Sequence, residues 1–274
     1  MINHHLSLLY EAQLSQLELY FDLDTEEGIK HSKVTLVDFF LELQRILIKP
    51  QFFYEVGAFS AKTSLKLKAI LPETQCLAFE ANIYNYNLFT QENDYENAGV
   101  DYRQLAISAK TGREIFHIQK KIANNNVAPI RANNSLLIRQ QSGVKYEKLT
   151  VDTYSLDDFI QQEQKITLSN QKISLWIDAE GAGFDVLKGS EVTLSQVFSI
   201  FMEVEEKQYW KGQILAQPII KHLLQKGFVP VARDFEAPFQ YNIIFLRTGL
   251  VSRPAYKHCR SAYYRKIKEY SKII

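Results

Sequence analysis

The chain has 274 residues, 46% of them hydrophobic and 23% charged, which is the composition of an ordinary globular domain. Its 32 basic and 31 acidic residues are balanced, which argues against binding to nucleic acid or to an anionic membrane surface. The two cysteines match no metal-ligand spacing, and no run approaches the ~18 apolar residues of a membrane span. The N-terminus lacks a secretory signal pattern, so we expect a cytoplasmic location without integral membrane association.

Two amphipathic helices are predicted at the start of the chain, over residues 6–20 and 33–48, and Pro50 ends the second. We assign residues 1–50 to an N-terminal helical extension, which either caps a site or forms a homodimer interface. Residues 51–250 form the main domain. Residues 251–274 form a basic C-terminal helix whose charges we interpret as a solvated face.

Strands and helices alternate in the first half of the main domain. The strands are predicted at 52–56, 76–80 and 101–107, and the helices at 61–70 and 84–93. This order is typical of a parallel sheet with helical crossovers.

The alternation stops after residue 110 and later resumes. Residues 114–118 alternate like a hairpin strand, and residues 121–135 form an Asn-rich excursion that we expect beside the acceptor site as a candidate lid. Further strands are predicted at 147–153, 173–177, 197–204, 228–232 and 241–246, with helices starting at 155 and spanning 184–189 and 213–225. An α/β fold follows from this pattern.

Acidic residues follow four of the predicted parallel strands. Because the carboxyl ends of such strands meet at one edge of the sheet, the carboxylates should lie close together and repel each other. A cationic or hydroxyl-rich ligand explains this arrangement most simply, and S-adenosylmethionine offers both a sulfonium and a ribose diol. The residues are Glu55, Glu80, Asp178, Glu180, Glu203 and Glu205.

The turn after the first strand contains a single glycine, Gly57. A dinucleotide site needs three glycines so that a pyrophosphate can approach the backbone, which disfavours a nicotinamide-dependent oxidoreductase. Glu80 lies about twenty residues beyond the turn, where an acid can bind ribose hydroxyls. On this pair alone, a structural turn with a surface glutamate explains the sequence equally well.

Three later segments carry a more specific pattern, at residues 153–159, 175–189 and 200–204. They resemble the FkbM family of methyltransferases, whose sequences read roughly TLDDF, then KIDVEGAExxVLxG, then IxxEV. Residues 55–64 are similar to that family's DVGANxGxxS/T turn, and residues 78–81 to its AFEP segment. The resemblance covers residues 50–250 and implies a Rossmann-like class I fold with a mostly parallel seven-stranded sheet, helices on both faces, and S-adenosylmethionine as cofactor.

The chain departs from the family pattern at three positions. Phe59 stands in place of asparagine, Ala61 in place of the second glycine, and Gly183 in place of the second glutamate. The first two lie in the cofactor turn, so a degenerate, non-catalytic binding module is the alternative reading. Phe59 either packs on the sulfonium or adenine or fills the core.

The resemblance also implies a set of site residues. Asp178 is the expected base for a hydroxyl acceptor and Glu180 the second choice, while His117 is more typical of a structural histidine. The histidines are dispersed, so no metal site is expected, although Asp178 and Glu180 could bind a hard cation. The resemblance implies a sugar or glycan hydroxyl as the acceptor and a role in polysaccharide biosynthesis. The implied cofactor-binding residues are Glu55, Gly57, Phe59, Ser60, Glu80, Ala81, Ala106, Ile107 and Asp178.

Overall fold

The computed structural model describes residues 17–122 and 125–270. Residues 17–20 are helical, and the rest of the helix predicted over 6–20 lies outside the described residues. The strands are β1 Phe52–Val56, β2 Gln75–Glu80, β3 Val100–Gln104, β4 Ala106–Ile107, β5 Gly112–Ile122, β6 Asn125–Asn126, β7 Val144–Tyr154, β8 Ile173–Ile177, β9 Val197–Glu205, β10 Phe228–Arg233 and β11 Gln240–Arg247.

The α-helices are α1 Glu26–Glu42, α2 Lys62–Ile70, α3 Ile83–Glu92, α4 Tyr95–Ala98, α5 Leu156–Asp158, α6 Gly183–Lys188, α7 Ala216–Gln225 and α8 Pro254–Tyr270. Helix α1 continues as a π-helical segment, Leu43–Ile48, and α5 continues as Phe159–Gln164. In the described part of the chain, no helix has the length and apolarity needed to cross a membrane.

Helix α1 begins seven residues earlier than the sequence pattern predicts, at Glu26 rather than at residue 33. Thr25 caps it, because its side chain accepts a hydrogen bond from the Gly28 amide at 3.1 Å. Two glutamates in the first turn favour the same start through the helix dipole. The π-helical extension ends where predicted, since Lys49 is left-handed and Pro50 follows.

The main sheet has seven strands in the order β10-β11-β9-β8-β1-β2-β3. Strands β9, β8, β1, β2 and β3 are mutually parallel, and β11 runs antiparallel to both β9 and β10. The prediction of an α/β fold with a mostly parallel seven-stranded sheet is therefore confirmed. Helices cover both faces of the sheet, and two apolar clusters pack there, one around Phe40, Trp176 and Phe201 and the other around Leu175 and Ile200.

A second sheet of four strands, in the order β4-β7-β5-β6, lies beside the first. The prediction of a single strand over 101–107 is wrong. The chain passes from one sheet to the other at Leu105, and only β3 joins the main sheet. Strand β4 instead pairs with the end of β7, which in turn forms a long antiparallel ladder with β5. Alternation of apolar and polar residues identifies a strand but does not identify its partner, which explains the error.

The N-terminal and C-terminal helices pack together on one face of the main sheet. Phe39 of α1 stacks on Tyr263 of α8, with ring centroids 4.4 Å apart. Gln44 reaches the sheet itself, where its side chain accepts a hydrogen bond from Ser174 at 2.6 Å and donates one to Ser199 at 3.1 Å. This buried polar contact fixes the position of the helix over strands β8 and β9.

The turn after β1 touches the turn after β8 at Gly57. Gly57 has a φ of +75°, and a Cβ placed on it would lie 1.8 Å from the carbonyl oxygen of Asp178. A hydrogen bond from the Asp178 amide to the Val56 carbonyl, 2.9 Å long, joins the two turns and keeps them close together. A glycine is therefore required here both by conformation and by space.

We predict that Gly57→Ala lowers the free energy of unfolding by more than about 2 kcal/mol, because the methyl group adds a clash to an unfavourable φ. Gly249→Ala is the matched control, since a Cβ there meets no atom within 4 Å and its φ lies outside the left-handed region. Urea unfolding of both variants measures the difference. Equal stability of the two variants would contradict the proposed contact.

Candidate functional site

A cleft opens at the carboxyl edge of β1, β2 and β8, with about 630 Å³ of free space that is open to solvent on one side. The turns after these strands form its floor, and the second sheet forms one wall. The structure brings most of the residues expected from the sequence together in its lining: Gly57, Phe59, Glu80, Ala81, Ala106, Ile107, Asp178 and Glu180.

Glu80 holds two loops at the cleft floor. One carboxylate oxygen accepts from the Phe59 amide at 2.8 Å, and the other accepts from the Asn82 amide at 2.8 Å and the Asn85 side chain at 3.3 Å. Burial raises its pKa to about 7, although these hydrogen bonds lower it. A carboxylate has about four acceptor positions, so one remains for a ligand hydroxyl.

The turn between β1 and α2 has the left-handed backbone expected of a glycine-rich turn, but carries side chains. Phe59 and Ala61 have φ values of 50° and 49°. Phe59 both lines the cleft and packs edge-to-face on Phe89, with ring centroids 4.7 Å apart. Its carbonyl accepts a hydrogen bond from the Tyr102 hydroxyl. Phe59 thus combines the two alternatives that its sequence position left open, core packing and exposure to the cleft.

Glu55 and Ser60 are not among the residues that line the cleft, in contrast to expectation. Glu55 is fully buried beneath the turn and accepts hydrogen bonds from the Ser64 amide at 2.7 Å and from its hydroxyl at 2.5 Å. The Ser60 carbonyl accepts from the Tyr95 hydroxyl at 3.0 Å. In this arrangement Glu55 anchors the start of α2, and the sequence could not distinguish an anchoring carboxylate from a ligand-binding one.

An apolar wall of the cleft comes from residues that sequence reasoning did not identify. Leu105 follows β3, Phe116 belongs to β5, and Leu136 follows the Asn-rich segment, and all three line the cleft beside Ile107. The alternation over 114–118 shows that Phe116 points to one face of its strand. It contains no signal that this face meets the edge of another sheet.

The Asn-rich segment lies against the cleft, as predicted. Its Ala132 and Asn134 are lining residues, and the Ser135 hydroxyl donates to the Glu180 carbonyl at 2.8 Å. Asn82 and Asn85 tie the segment to α3, since their side chains donate to the Pro129 and Arg131 carbonyls. Residues 123 and 124 lie outside the described part, and action of this segment as a lid stays a prediction.

Three carboxylates meet at the acidic end of the cleft. Asp178 follows β8 next to Glu203 of β9, because Ile177 pairs with Met202, and Glu180 joins them from the following turn. One oxygen from each of the three lies within 4.8 Å of the others. Burial raises the pKa of all three carboxyls, and neighbouring carboxylates raise it further: Glu236 for Asp178, and Asp178 for both Glu180 and Glu203. We call Asp178, Glu180 and Glu203 the carboxylate cluster.

Further charged residues surround the carboxylate cluster. Arg139 lies 3.9 Å from a Glu180 oxygen, and Lys33 of α1 forms an ion pair with Glu236 and lowers the pKa of Asp178. Glu205 adds another buried carboxyl group, whose pKa burial raises to about 7. Helix α1 thus supplies a charged group to the site, which its amphipathic pattern did not indicate.

His117 is not among the cleft-lining residues. Its Nδ1 lies 3.2 Å from the Leu136 carbonyl oxygen, and burial lowers its pKa. This placement agrees with the structural role that its strand position favours.

Comparison with known proteins gives a family match. The family model described as the methyltransferase FkbM domain matches residues 55–230. No curated protein is significantly similar to this chain in sequence. Similar solved structures include magnesium protoporphyrin IX methyltransferase from Synechocystis PCC 6803 with bound SAM, at 9% identity and a TM-score of 0.41, covering 82% of this chain and 84% of that one.

Another similar structure is precorrin-6y C5,15-methyltransferase from Geobacter metallireducens GS-15. It is 9% identical, with a TM-score of 0.36, and the match covers 76% of this chain and 86% of that one. No residue role follows from either structure.

We predict that burial of Glu55 makes the protein less stable as the pH rises. Its pKa is about 7 in the folded chain against an ordinary 4.5, so between these values the folded state holds a proton that the unfolded state has lost. Stability is therefore lost as the pH rises through this window. Glu55→Gln cannot titrate, so it should gain stability relative to wild type by on the order of 3 kcal/mol between pH 4.5 and 8.

Urea unfolding of wild type and Glu55→Gln at several pH values tests this effect. Glu92→Gln, at an exposed position of α3, is the matched control. A difference between Glu55→Gln and wild type that stays constant with pH would show that Glu55 is already ionised in the folded protein.

Proposed function

Because the chain belongs to the FkbM family of S-adenosylmethionine-dependent methyltransferases, we propose that it transfers a methyl group to a hydroxyl oxygen of a sugar or glycan intermediate. The observation that carries this proposal is the position of Asp178. This carboxylate lines the same cleft as Gly57 and Glu80, the two residues that match the family's cofactor turn and ribose position.

The residues of the cleft fit the parts of S-adenosylmethionine. Glu80 has a free acceptor position suited to the ribose diol, and the apolar wall of Ile107, Phe116 and Leu136 suits the adenine. Phe59 and the carboxylate cluster suit the positively charged sulfonium. When bound, the cofactor supplies a methyl group activated by that sulfonium, so the protein must align the acceptor and remove its proton.

Asp178 is suited to receive that proton. Burial raises its pKa above the ordinary value of 3.8, toward the range in which a carboxylate is an effective base at neutral pH. Glu180, from the next turn, is the second choice. As the acceptor oxygen bonds to the methyl carbon, the sulfur–methyl bond would break and leave the neutral thioether, and the Asp178 carboxylate would take the hydroxyl proton.

The charged groups around the cluster suit an acceptor with several hydroxyls. Glu203 and Glu236 can accept hydrogen bonds, and Arg139 can donate them, close to the acidic end of the cleft. Such alternation of donors and acceptors is the usual means of binding sugars. We place the reaction in cytoplasmic polysaccharide or glycan assembly, as the family resemblance implies.

A second candidate function is a binding module that no longer performs methyl transfer. Phe59 and Ala61 favour it, because both occupy left-handed backbone positions where the family pattern has asparagine and glycine. Both candidates share the fold and differ in whether the cleft binds the cofactor productively. Binding and turnover experiments distinguish them.

We predict that Glu80→Gln weakens S-adenosylmethionine binding by roughly 10- to 100-fold, since a ribose hydroxyl loses a charge-assisted acceptor. Isothermal titration at a temperature where the variant is folded measures the dissociation constant. Glu92→Gln is the control. An unchanged constant would contradict the placement of the ribose, and absence of binding by wild type would favour the non-catalytic module.

We predict that Asp178→Asn reduces turnover by roughly 10²- to 10⁴-fold, because an amide keeps the shape of the side chain but cannot accept a proton. Transfer of labelled methyl groups to a panel of monosaccharides, nucleotide-activated sugars and glycans measures the rate. Asp185→Asn, on α6, is the matched control. Turnover within a few-fold of wild type would exclude Asp178 as the base, and labelling of amines alone would exclude a hydroxyl acceptor.

A further inference from the structure

The carboxylate cluster has the oxygen ligands and the spacing of a divalent cation site. Asp178, Glu180 and Glu203 each contribute one oxygen, and these oxygens lie within 4.8 Å of one another. Hard divalent cations such as Mg²⁺ and Mn²⁺ take carboxylate oxygens as ligands and fill their remaining positions with water or substrate. Glu203 lies on β9, and Asp178 and Glu180 lie in the turn that follows the neighbouring parallel strand β8.

The cations available from the protein do not satisfy these carboxylates. Among the described residues, the side chains of Asp178 and Glu203 form neither a hydrogen bond nor an ion pair. The Arg139 guanidinium stacks over Trp210, 4.1 Å from the ring centre, and reaches Glu180 at only 3.9 Å. Lys33 is held by Glu236.

Glu205 provides an independent sign that a positive ligand is missing. It is only 3% exposed, and its Oε1 has no hydrogen-bond partner in the described part of the chain. Glu203 and Glu205 project from the same face of β9, because side chains alternate along a strand. The charge of Glu205 raises the pKa of Glu180 and Glu203, so its carboxylate is near the cluster.

A buried carboxylate without a partner is unfavourable unless it is protonated or neutralised by a cation. The Gln213 side chain lies next to Glu205 and lowers its pKa, but its amide nitrogen meets no acceptor with good hydrogen-bond geometry in the described part of the chain. We propose that Asp178, Glu180 and Glu203 bind one Mg²⁺ or Mn²⁺ ion, with Glu205 in the outer shell. This site differs from the sequence-based expectation of no metal.

The ion would lie at the end of the cofactor cleft, because Asp178 and Glu180 line both. One oxygen of Asp178 would bind the ion and leave the other to accept a proton. An open position on the ion would take the acceptor hydroxyl and lower its pKa, which favours acceptors with two neighbouring oxygens. This consequence for the acceptor rests on the proposed function, whereas cation binding does not.

The experiment uses chelator-treated protein without cofactor or acceptor. Mn²⁺ is added, and its binding is measured as the loss of the electron paramagnetic resonance signal of free Mn²⁺. Wild type should bind one Mn²⁺ that Mg²⁺ displaces. Glu203→Gln should weaken binding on the order of tenfold or more, because it removes a charged ligand. Glu92→Gln should bind as wild type does, and thermal unfolding without metal verifies that each variant is folded.

Asp178→Asn provides a second variant should Glu203→Gln fail to fold, and it should weaken binding similarly. No Mn²⁺ binding at millimolar concentrations, or binding that neither variant changes, would overturn the site. Displacement of Mn²⁺ by putrescine but not by Mg²⁺ would instead identify a site for an organic cation. The binding experiment contains neither cofactor nor acceptor. Its outcome therefore does not depend on whether the protein transfers methyl groups.

Discussion

The contact between Gly57 and the Asp178 carbonyl is the constraint on which the rest of the site depends. It brings the turn after β1 and the turn after β8 so close that no side chain fits between them. Phe59 and Glu80 on one side, and Asp178 and Glu180 on the other, therefore line one cleft.

The carboxylates along this edge divide into two groups according to their hydrogen-bond donors. Glu55 and Glu80 accept from backbone amides, so each stabilises a turn as an anchored group. Asp178 and Glu203 have no such donors among the described residues, and they remain available to a ligand. The difference is one of local backbone geometry, since the first pair lies beside the free amides of a turn or a helix start, and the second pair does not.

Elements outside the parallel sheet complete the cleft. Strand β5 supplies Phe116, and the segment after it supplies Asn134 and the Ser135 contact with Glu180. Helix α1 contributes Lys33, so the N-terminal part of the chain is connected to the acidic end through Glu236. The parallel sheet places the turns at the floor of the cleft, and these added elements complete its surroundings.

From the amino-acid sequence, periodicity predicted most of the strands and helices in chain order, and Gly57 and the strand-end carboxylates predicted the sheet edge where the cleft lies, because these are local signals. Strand pairing in three dimensions was needed to show that residues 101–107 divide between two sheets, that Glu55 anchors α2 rather than lining the cleft, and that Phe116 of β5 joins the cleft wall. These outcomes depend on strand pairing and on which amides lie near each carboxylate. Such contacts join residues far apart in the chain, and no local pattern records them.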